Sequence, residues 1–408
     1  MPATAPMPGA SARVAALAAL VVATFCFVAN ENLPGGLLSL MAGDLHTSLS
    51  AVGLLVTGYG LTVAVVSVPL VRATRRVPRR RLLSWVLAVF VTANCLTALA
   101  PGYPLLLGGR VITALAHAVF WSVVVVTAVG MFPPRLRGRI VSVVFTGSSV
   151  ATVMGVPAGT WLGQQWGWRL PFLALSGLGL AALVTVAVCM PRTRTEEKPA
   201  AATDPDARRF VVLLAATALS ITGLSAASTY TVPFLTEVSG FPETAMGPLL
   251  FVRGAAGVAV MAFGGVVLNR WPRAGVIVPT ALLAGALFGL HGVGALRLAV
   301  IGLLVLFGAT MFLMITAMAN RILDVAPGST EVATAAHSAV FNASVAAGAL
   351  AGALLLPSWG VRSTALVAAA LVSAAVACLA AEPLIARRGR RPVPGHPQPD
   401  RSVTSGGV

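Results

Sequence analysis

Long apolar stretches alternate with short polar gaps along the whole chain. The stretches fall near 14–40, 50–71, 82–100, 104–131, 139–162, 170–190, 209–236, 245–268, 275–294, 297–321, 331–356 and 363–386. Each matches the roughly 20 apolar residues a helix needs to cross the hydrocarbon of a bilayer. Helices are the element they predict, because lipid offers no partner to an unpaired backbone group and the runs are too long for barrel strands. The expected fold is an all-α membrane protein of twelve transmembrane helices in two pseudo-symmetric six-helix bundles.

The polar gaps are unequal. The gap at 72–81 reads RATRRVPRRR and that at 132–139 reads FPPRLRGR. Further arginines or lysines occupy the central gap, 270, 273 and 321, and the tail. With Arg13, 23 of the 28 basic residues fall on one alternating side. Only Arg169, Arg297 and Arg362 fall on the other, and Arg110 and Arg253 lie within spans. The positive-inside rule makes the crowded side cytoplasmic, so both termini are expected inside a plasma (inner) membrane, with an even number of spans.

Composition sharpens this reading. Hydrophobic residues make up 57% of the chain, charged residues 10%, and the mean hydropathy is +0.90. A soluble domain needs far more polar surface. A net charge of +16 would point to nucleic acid in a soluble protein, but here the placement accounts for it as topology. The expected partners are a lipid bilayer and a small-molecule substrate, with no nucleic acid and no obligate protein partner. Cys26, Cys95, Cys189 and Cys378 each stand alone in apolar sequence, which gives neither metal spacing nor a disulfide framework. The first apolar run is followed by Asn30 and Glu31 and reads as span one rather than a cleaved signal.

The most polar long stretch, PRTRTEEKPAAATDPDARR at 191–209, reads as a linker dividing the spans six and six. The expected units are a first bundle over 1–190, a linker over 191–208, a second bundle over 209–386 and a basic, disordered tail over 387–408. The halves repeat. Residues 53–81 align without a gap on 247–275, a shift of 194, matching Gly53 with Gly247, Gly60 with Gly254, Arg76 with Arg270 and Arg79 with Arg273. A shift of 193 matches Gly155 with Gly348, Gly159 with Gly352, Trp166 with Trp359, Gly167 with Gly360 and Arg169 with Arg362. Parallel halves rocking about a midplane site are an established transporter plan.

Four segments carry chemistry: ANENLPGGLLSLMAGDL at 29–45, LLLGGRVITALAHAVFWSVV at 105–124, GSSVATVMGVPAGTWLGQQWGWR at 147–169, and the loop VRATRRVPRRR after span two. Glu31 is a carboxyl in the outer half of span one. Such a group is costly at membrane depth and faces either a cavity or the outer interface. Pro34, Gly35 and Gly36 after it suit a moving gate or a helix end. His117 lies two turns along from Arg110 on the same face, suited to proton relay or to packing. Phe120 and Trp121 are cavity or packing aromatics. Gly147, Gly155, Gly159 and Gly163 share one helix face, and Pro157 bends the helix. In the second half Asn342, Tyr230 (opposite Glu31 when Pro34 is aligned with Pro233) and Arg253 join Asn30 as candidate cavity residues. The guanidinium of Arg253 calls for an anion or a water cavity.

Together these segments resemble the major facilitator superfamily over about 13–388, and within it the twelve-span drug:proton antiporters of the arabinose-efflux-like and chloramphenicol-exporter branch. The resemblance implies proton coupling by Glu31 and Arg110, with Glu31 the partner of Arg110. It also implies an antiporter motif at Gly147, Gly155, Pro157 and Gly159, associated with export. The usual Gly-Pro pair is here Gly155-Val156-Pro157. A cytoplasmic gating loop would use Arg76, Arg79, Arg270 and Arg273, although Arg75 stands where the family has an acid and Pro78 where it has a glycine. The same basic residues would equally serve as topology anchors.

No Gly-Lys-Ser/Thr phosphate loop is present, so the expected driving force is a proton gradient, with no cofactor and no metal. The expected function is proton-coupled efflux of a small apolar or amphipathic compound, such as an antibiotic or secondary metabolite. A sugar or metabolite carrier is the first alternative, and a non-transporting membrane receptor the second. An enzyme is not expected, because no cluster of His, Asp or Cys lies at membrane depth.

Overall fold

Twelve long helices account for nearly all of the described chain. The computed structural model describes residues 10–74, 76–191, 206–270, 273–327 and 330–389. Most of the expected linker and tail, Arg75 and the side chain of Arg270 lie outside the described residues.

In the first half α1 is Ala10–Asp44, α2 Leu49–Thr74, α3 Arg79–Ala98 and α4 Tyr103–Gly130. Helix α5 is Arg137–Val150, continued by a π turn Ala151–Gly155 and by Val156–Trp166; α6 is Arg169–Cys189. In the second half α7 is Ala207–Thr229, extended by Thr231–Pro233 and a π turn Phe234–Val238. Then come α8 Met246–Arg270, α9 Ala274–Val293, α10 Arg297–Asp324, α11 Thr330–Trp359 and α12 Arg362–Gly389. Eleven helices among the described residues are long and apolar enough to cross a membrane. The remaining one, α8, is 25 residues long, and its later side chains are outside the description. Helix α1 runs through Gly35 and Gly36 to Asp44, so these glycines do not end it.

Helix ends show the same repeat. Gly167 after α5 and Gly360 after α11 both take positive φ, +88° and +69°, a conformation that favours glycine and turns the chain sharply. Arg169 and Arg362 follow two residues later in each half. Arg169 Nη2 donates to the Ala100 carbonyl just past α3, and Arg362 donates to the His291 and Gly292 carbonyls ending α9. Each arginine thus satisfies orphan carbonyls at the end of its half's third helix. On the described face that bears the arginine-rich connections, Asp206 caps α7 by accepting from the Arg208 and Arg209 amides at 3.0 and 3.2 Å.

Within the first half α1 packs on α5 and α6, and α3 packs on α4 and α6. Within the second, α7 packs on α11 and α12, and α10 packs on α8 and α9. The halves meet along α2–α11, α5–α8 and α1–α7, while α4 and α10 make no comparable contact among the described residues. Glycines set these seams. A Cβ on Gly60 of α2 would lie 3.0 Å from the Asn342 carbonyl oxygen of α11, and one on Gly254 of α8 would lie 2.8 Å from the Thr152 carbonyl oxygen of α5. Gly53 accommodates the Tyr230 hydroxyl, and its counterpart Gly247 lies against Trp161 and the Pro157 carbonyl. The π turn of α5 sits at this seam, just before Pro157, whose missing N–H interrupts regular pairing. Gln164 of α5 also donates to the Glu243 carbonyl across the halves. The Gly53, Gly247 and Gln164 contacts lie toward the face opposite the arginine-rich connections. These contacts join the halves at that end.

Candidate functional site

The site begins with a proline. In a helix the carbonyl of residue 30 would accept from the amide of residue 34, but Pro34 has no N–H. Arg110 of α4 takes the place of that donor. Its Nη1 donates to the Asn30 carbonyl at 2.9 Å and to Asn30 Oδ1 at 2.6 Å, and its Nη2 donates to the Glu31 carbonyl at 3.4 Å. Asn30 Nδ2 in turn donates to Asn94 Oδ1 of α3, and Asn94 Nδ2 donates to the Phe90 carbonyl at 2.9 Å. The guanidinium lies over the Tyr59 ring, 4.4 Å from its centroid. Tyr59 Oη shares a 2.8 Å hydrogen bond with His117 Nδ1. Arg110, Tyr59, Asn30, Asn94 and His117 are all buried.

Glu31 belongs to this cluster by position but not by bonding. Its side chain is half-buried, and among the described residues its carboxylate accepts no hydrogen bond and forms no ion pair. Arg110 and the Glu31 carboxylate interact through their charges, as expected, without a hydrogen bond or a salt bridge between the two side chains, because the Arg110 hydrogen bonds go to main-chain carbonyls and to Asn30. Glu31 lies about 6 Å along the axis from the middle of α1, at membrane depth.

The second half carries a counterpart with the parts exchanged. Arg253 of α8 matches Tyr59 of α2 at the shift of 194. Its Nη1 donates to Thr231 Oγ1 of α7 at 3.1 Å, and its guanidinium carbon lies 5.2 Å from the Phe307 ring centroid of α10. In the first half the arginine is on the fourth helix and the aromatic on the second. In the second half the arginine is on the second helix and the aromatic on the fourth.

A family model described as Major Facilitator Superfamily matches residues 20–336. The chain is 31% identical over 392 residues to YtbD, an uncharacterized MFS-type transporter of Bacillus subtilis (strain 168), covering 93% of this chain and 98% of that protein. This chain belongs to the major facilitator superfamily. Two solved structures share its fold. A bacterial homolog of the human lysosomal transporter Spinster, in an inward-facing and unoccupied conformation, has a TM-score of 0.71 at 16% identity, covering 94% of this chain and all (100%) of that one. The nucleoside transporter NupG has a TM-score of 0.72 at 10% identity, covering 90% of this chain and 99% of that one. The protein is a membrane transporter and not an enzyme.

Other expected residues of this superfamily member fall into place by contact. Phe120 is fully buried and stacks on Phe27, with centroids 4.4 Å apart, so it is core rather than cavity wall. Trp121 is half-buried, 6.2 Å from His117 between ring centroids, and stacked on Phe145. Tyr230 is fully buried, and its hydroxyl donates to the Ala349 carbonyl at 3.0 Å, in the notch formed by Gly53 and Gly352. It fastens α7 to α11 and α2 and does not line a cavity. Asn342 bonds back to the Ser338 carbonyl of its own helix at the α2–α11 seam. Of the span-five glycines, Gly147 faces Val21 and Thr24, Gly155 faces Phe25, Gly159 faces Leu33 and Gly163 faces Leu37. That face packs on α1, as a small face does, inside one half. Pro157 lies beside the seam to α8. Arg76, Arg79 and Arg273 lie at the connections on the basic face, with Arg76 and Arg273 exposed.

Tyr59, Asn94, Thr231 and Phe307 were not among the expected residues. A signal existed for one of them: Tyr59 stands opposite Arg253 in the gapless repeat.

Proposed function

We propose that this transporter exports a small amphipathic organic compound in exchange for protons, across a plasma membrane with its basic face in the cytoplasm. The observation that carries the reading is Glu31, a carboxyl at membrane depth without a bonded partner, beside an arginine that main-chain carbonyls hold in place. A carboxyl so placed exchanges its proton with whatever water or cargo reaches it, because no fixed ion pair holds it ionised. Arg110 supplies a fixed positive field next to it. Contacts between the halves at the end opposite the basic face support a carrier that takes up its cargo from the cytoplasmic side. Proton entry from outside would bring the carrier back to this state. The apolar character of the inner helix faces favours an amphipathic cargo over a sugar, whose hydroxyls need many polar partners.

The test is expression in a host lacking its own pumps, challenged with a panel of amphipathic antibiotics, with and without a protonophore. Protection against at least one compound, lost with the protonophore and lost in Glu31→Gln at equal membrane abundance, is the expected result. Protection that survives both treatments removes proton coupling through Glu31.

A further inference from the structure

The Tyr59–His117 hydrogen bond fixes where a proton can sit. Tyr59 of α2 is fully buried, and His117 Nδ1 of α4, at 2.8 Å, is the one hydrogen-bond partner of its hydroxyl among the described residues. The phenol hydrogen therefore has a single acceptor open to it. An imidazole proton on Nδ1 would donate to the phenol oxygen instead and strand a buried hydroxyl hydrogen. The Arg110 guanidinium, 4.4 Å from the centre of the phenol ring, acts in the same direction. A positive charge on the ring face draws electron density from the phenol oxygen, which makes it a better donor and a poorer acceptor. So Tyr59 donates, Nδ1 accepts, and the imidazole hydrogen stands on Nε2.

A second imidazole proton finds no support. The ring is faced by Phe27 of α1, Tyr59 of α2 and Trp121 of its own helix. The charged group that acts on it is Arg110, two turns earlier on α4, while the Glu31 carboxylate of α1 acts on Arg110 and Tyr59. An imidazolium would be a second buried cation with no carboxylate bonded to it among the described residues. His117 Nε2 has no bonded partner among the described residues, and unlike Arg110 Nε it is not sealed from the surrounding space. Trp121, one turn on, is half-buried beside it. We propose that Tyr59 is a positioning residue that holds His117 as the neutral Nε2–H tautomer, so that His117 is a fixed donor to an acceptor oxygen of the cargo and not a proton carrier. Water meets the same donor in the empty carrier.

The inference deepens the export reading by leaving the proton to Glu31, and its first test needs neither gradient nor cargo. The purified full-length chain, isotope-labelled at the imidazole nitrogens of its five histidines, is reconstituted in lipid and recorded by NMR between about pH 5 and pH 8. Signals absent from His117→Gln are those of His117. Wild type is expected to show a protonated Nε2 and an unprotonated, hydrogen-bonded Nδ1 throughout. Tyr59→Phe is expected to move Nδ1 to the position of a nitrogen that accepts no hydrogen bond and to admit the other tautomer. A wild-type imidazolium within that range, or a wild-type Nδ1–H tautomer, overturns the proposal, as does a Tyr59→Phe spectrum identical to that of the wild type. If Tyr59→Phe does not fold, the wild-type spectra alone decide. The donor is read in the susceptibility panel. For a compound that the wild type exports, His117→Phe is expected to weaken protection about ten-fold. His117→Gln, whose amide offers an N–H but exchanges no proton, is expected to recover part of that loss and to stay sensitive to the protonophore. A glutamine variant no better than the phenylalanine one overturns the donor role. A panel with no exported compound removes the export reading, while the spectra still decide the state of His117.

Discussion

The two halves hold the same pair of groups in exchanged positions, but bury and bond them differently. Arg110 is buried over Tyr59 and donates to three oxygens supplied by α1. Arg253 sits farther from Phe307 and donates to one hydroxyl of α7. Duplication supplies a common frame, and divergence within it separates a fully buried arginine, bonded to α1 with its Nε left unpartnered, from a half-buried one bonded to a single hydroxyl. The fully buried arginine lies beside the single mid-span acid.

The largest effect that would sharpen this contrast is on stability. Arg110→Ala strands the Asn30 carbonyl, which Pro34 has already deprived of its helical donor. It is expected to cost about 3–5 kcal/mol, against about 1 kcal/mol for Arg253→Ala, read as thermal unfolding in detergent. Equal losses would erase the distinction. Next come the seams. Gly60→Leu and Gly254→Leu place a side chain at pseudo-equivalent contacts, so both are expected to hold the halves apart at the end opposite the basic face. Spin labels at 165 and 243 should report a longer distance in each variant, with transport reduced about ten-fold or more. A change in one variant only would show that the two seams are not equivalent. A smaller effect is expected from Pro34→Ala. It returns an amide to the Asn30 carbonyl and competes with Arg110, which should alter transport while changing stability by about 1 kcal/mol or less. Smallest is Asp44→Asn, which breaks an exposed ion pair with Arg169 and should change stability by under about 1 kcal/mol.

Much of the fold was legible because lipid makes it so. Uniformly apolar runs of spanning length leave helices as the only solution, and the gapless repeat already marked Gly53, Gly60, Gly247 and Gly254, which turned out to be the seams between halves. The repeat also contained the Tyr59–Arg253 correspondence, invisible as chemistry until Phe307 was seen opposite. Contacts across helices were not legible. Tyr230 and Asn342 looked like cavity residues because polarity within a span marks a need for a partner, not who supplies it. For Tyr230 the partner is the Ala349 carbonyl, and for Asn342 it is its own helix. Charge placed Arg110 beside the Glu31 carboxylate, and the two charges do interact; what it did not reveal is that a proline four residues after Asn30 leaves a backbone acceptor to which Arg110 donates.

The central claim is that Glu31, free of a bonded partner, is the group whose proton is traded for cargo. The direct measurement is the proton released when a compound identified in the susceptibility panel is added to the purified transporter in weakly buffered, pH-indicator solution. Wild type is expected to release protons in proportion to compound bound, and Glu31→Gln to bind the compound and release none. Equal release from both proteins would place the exchanged proton elsewhere and contradict the account.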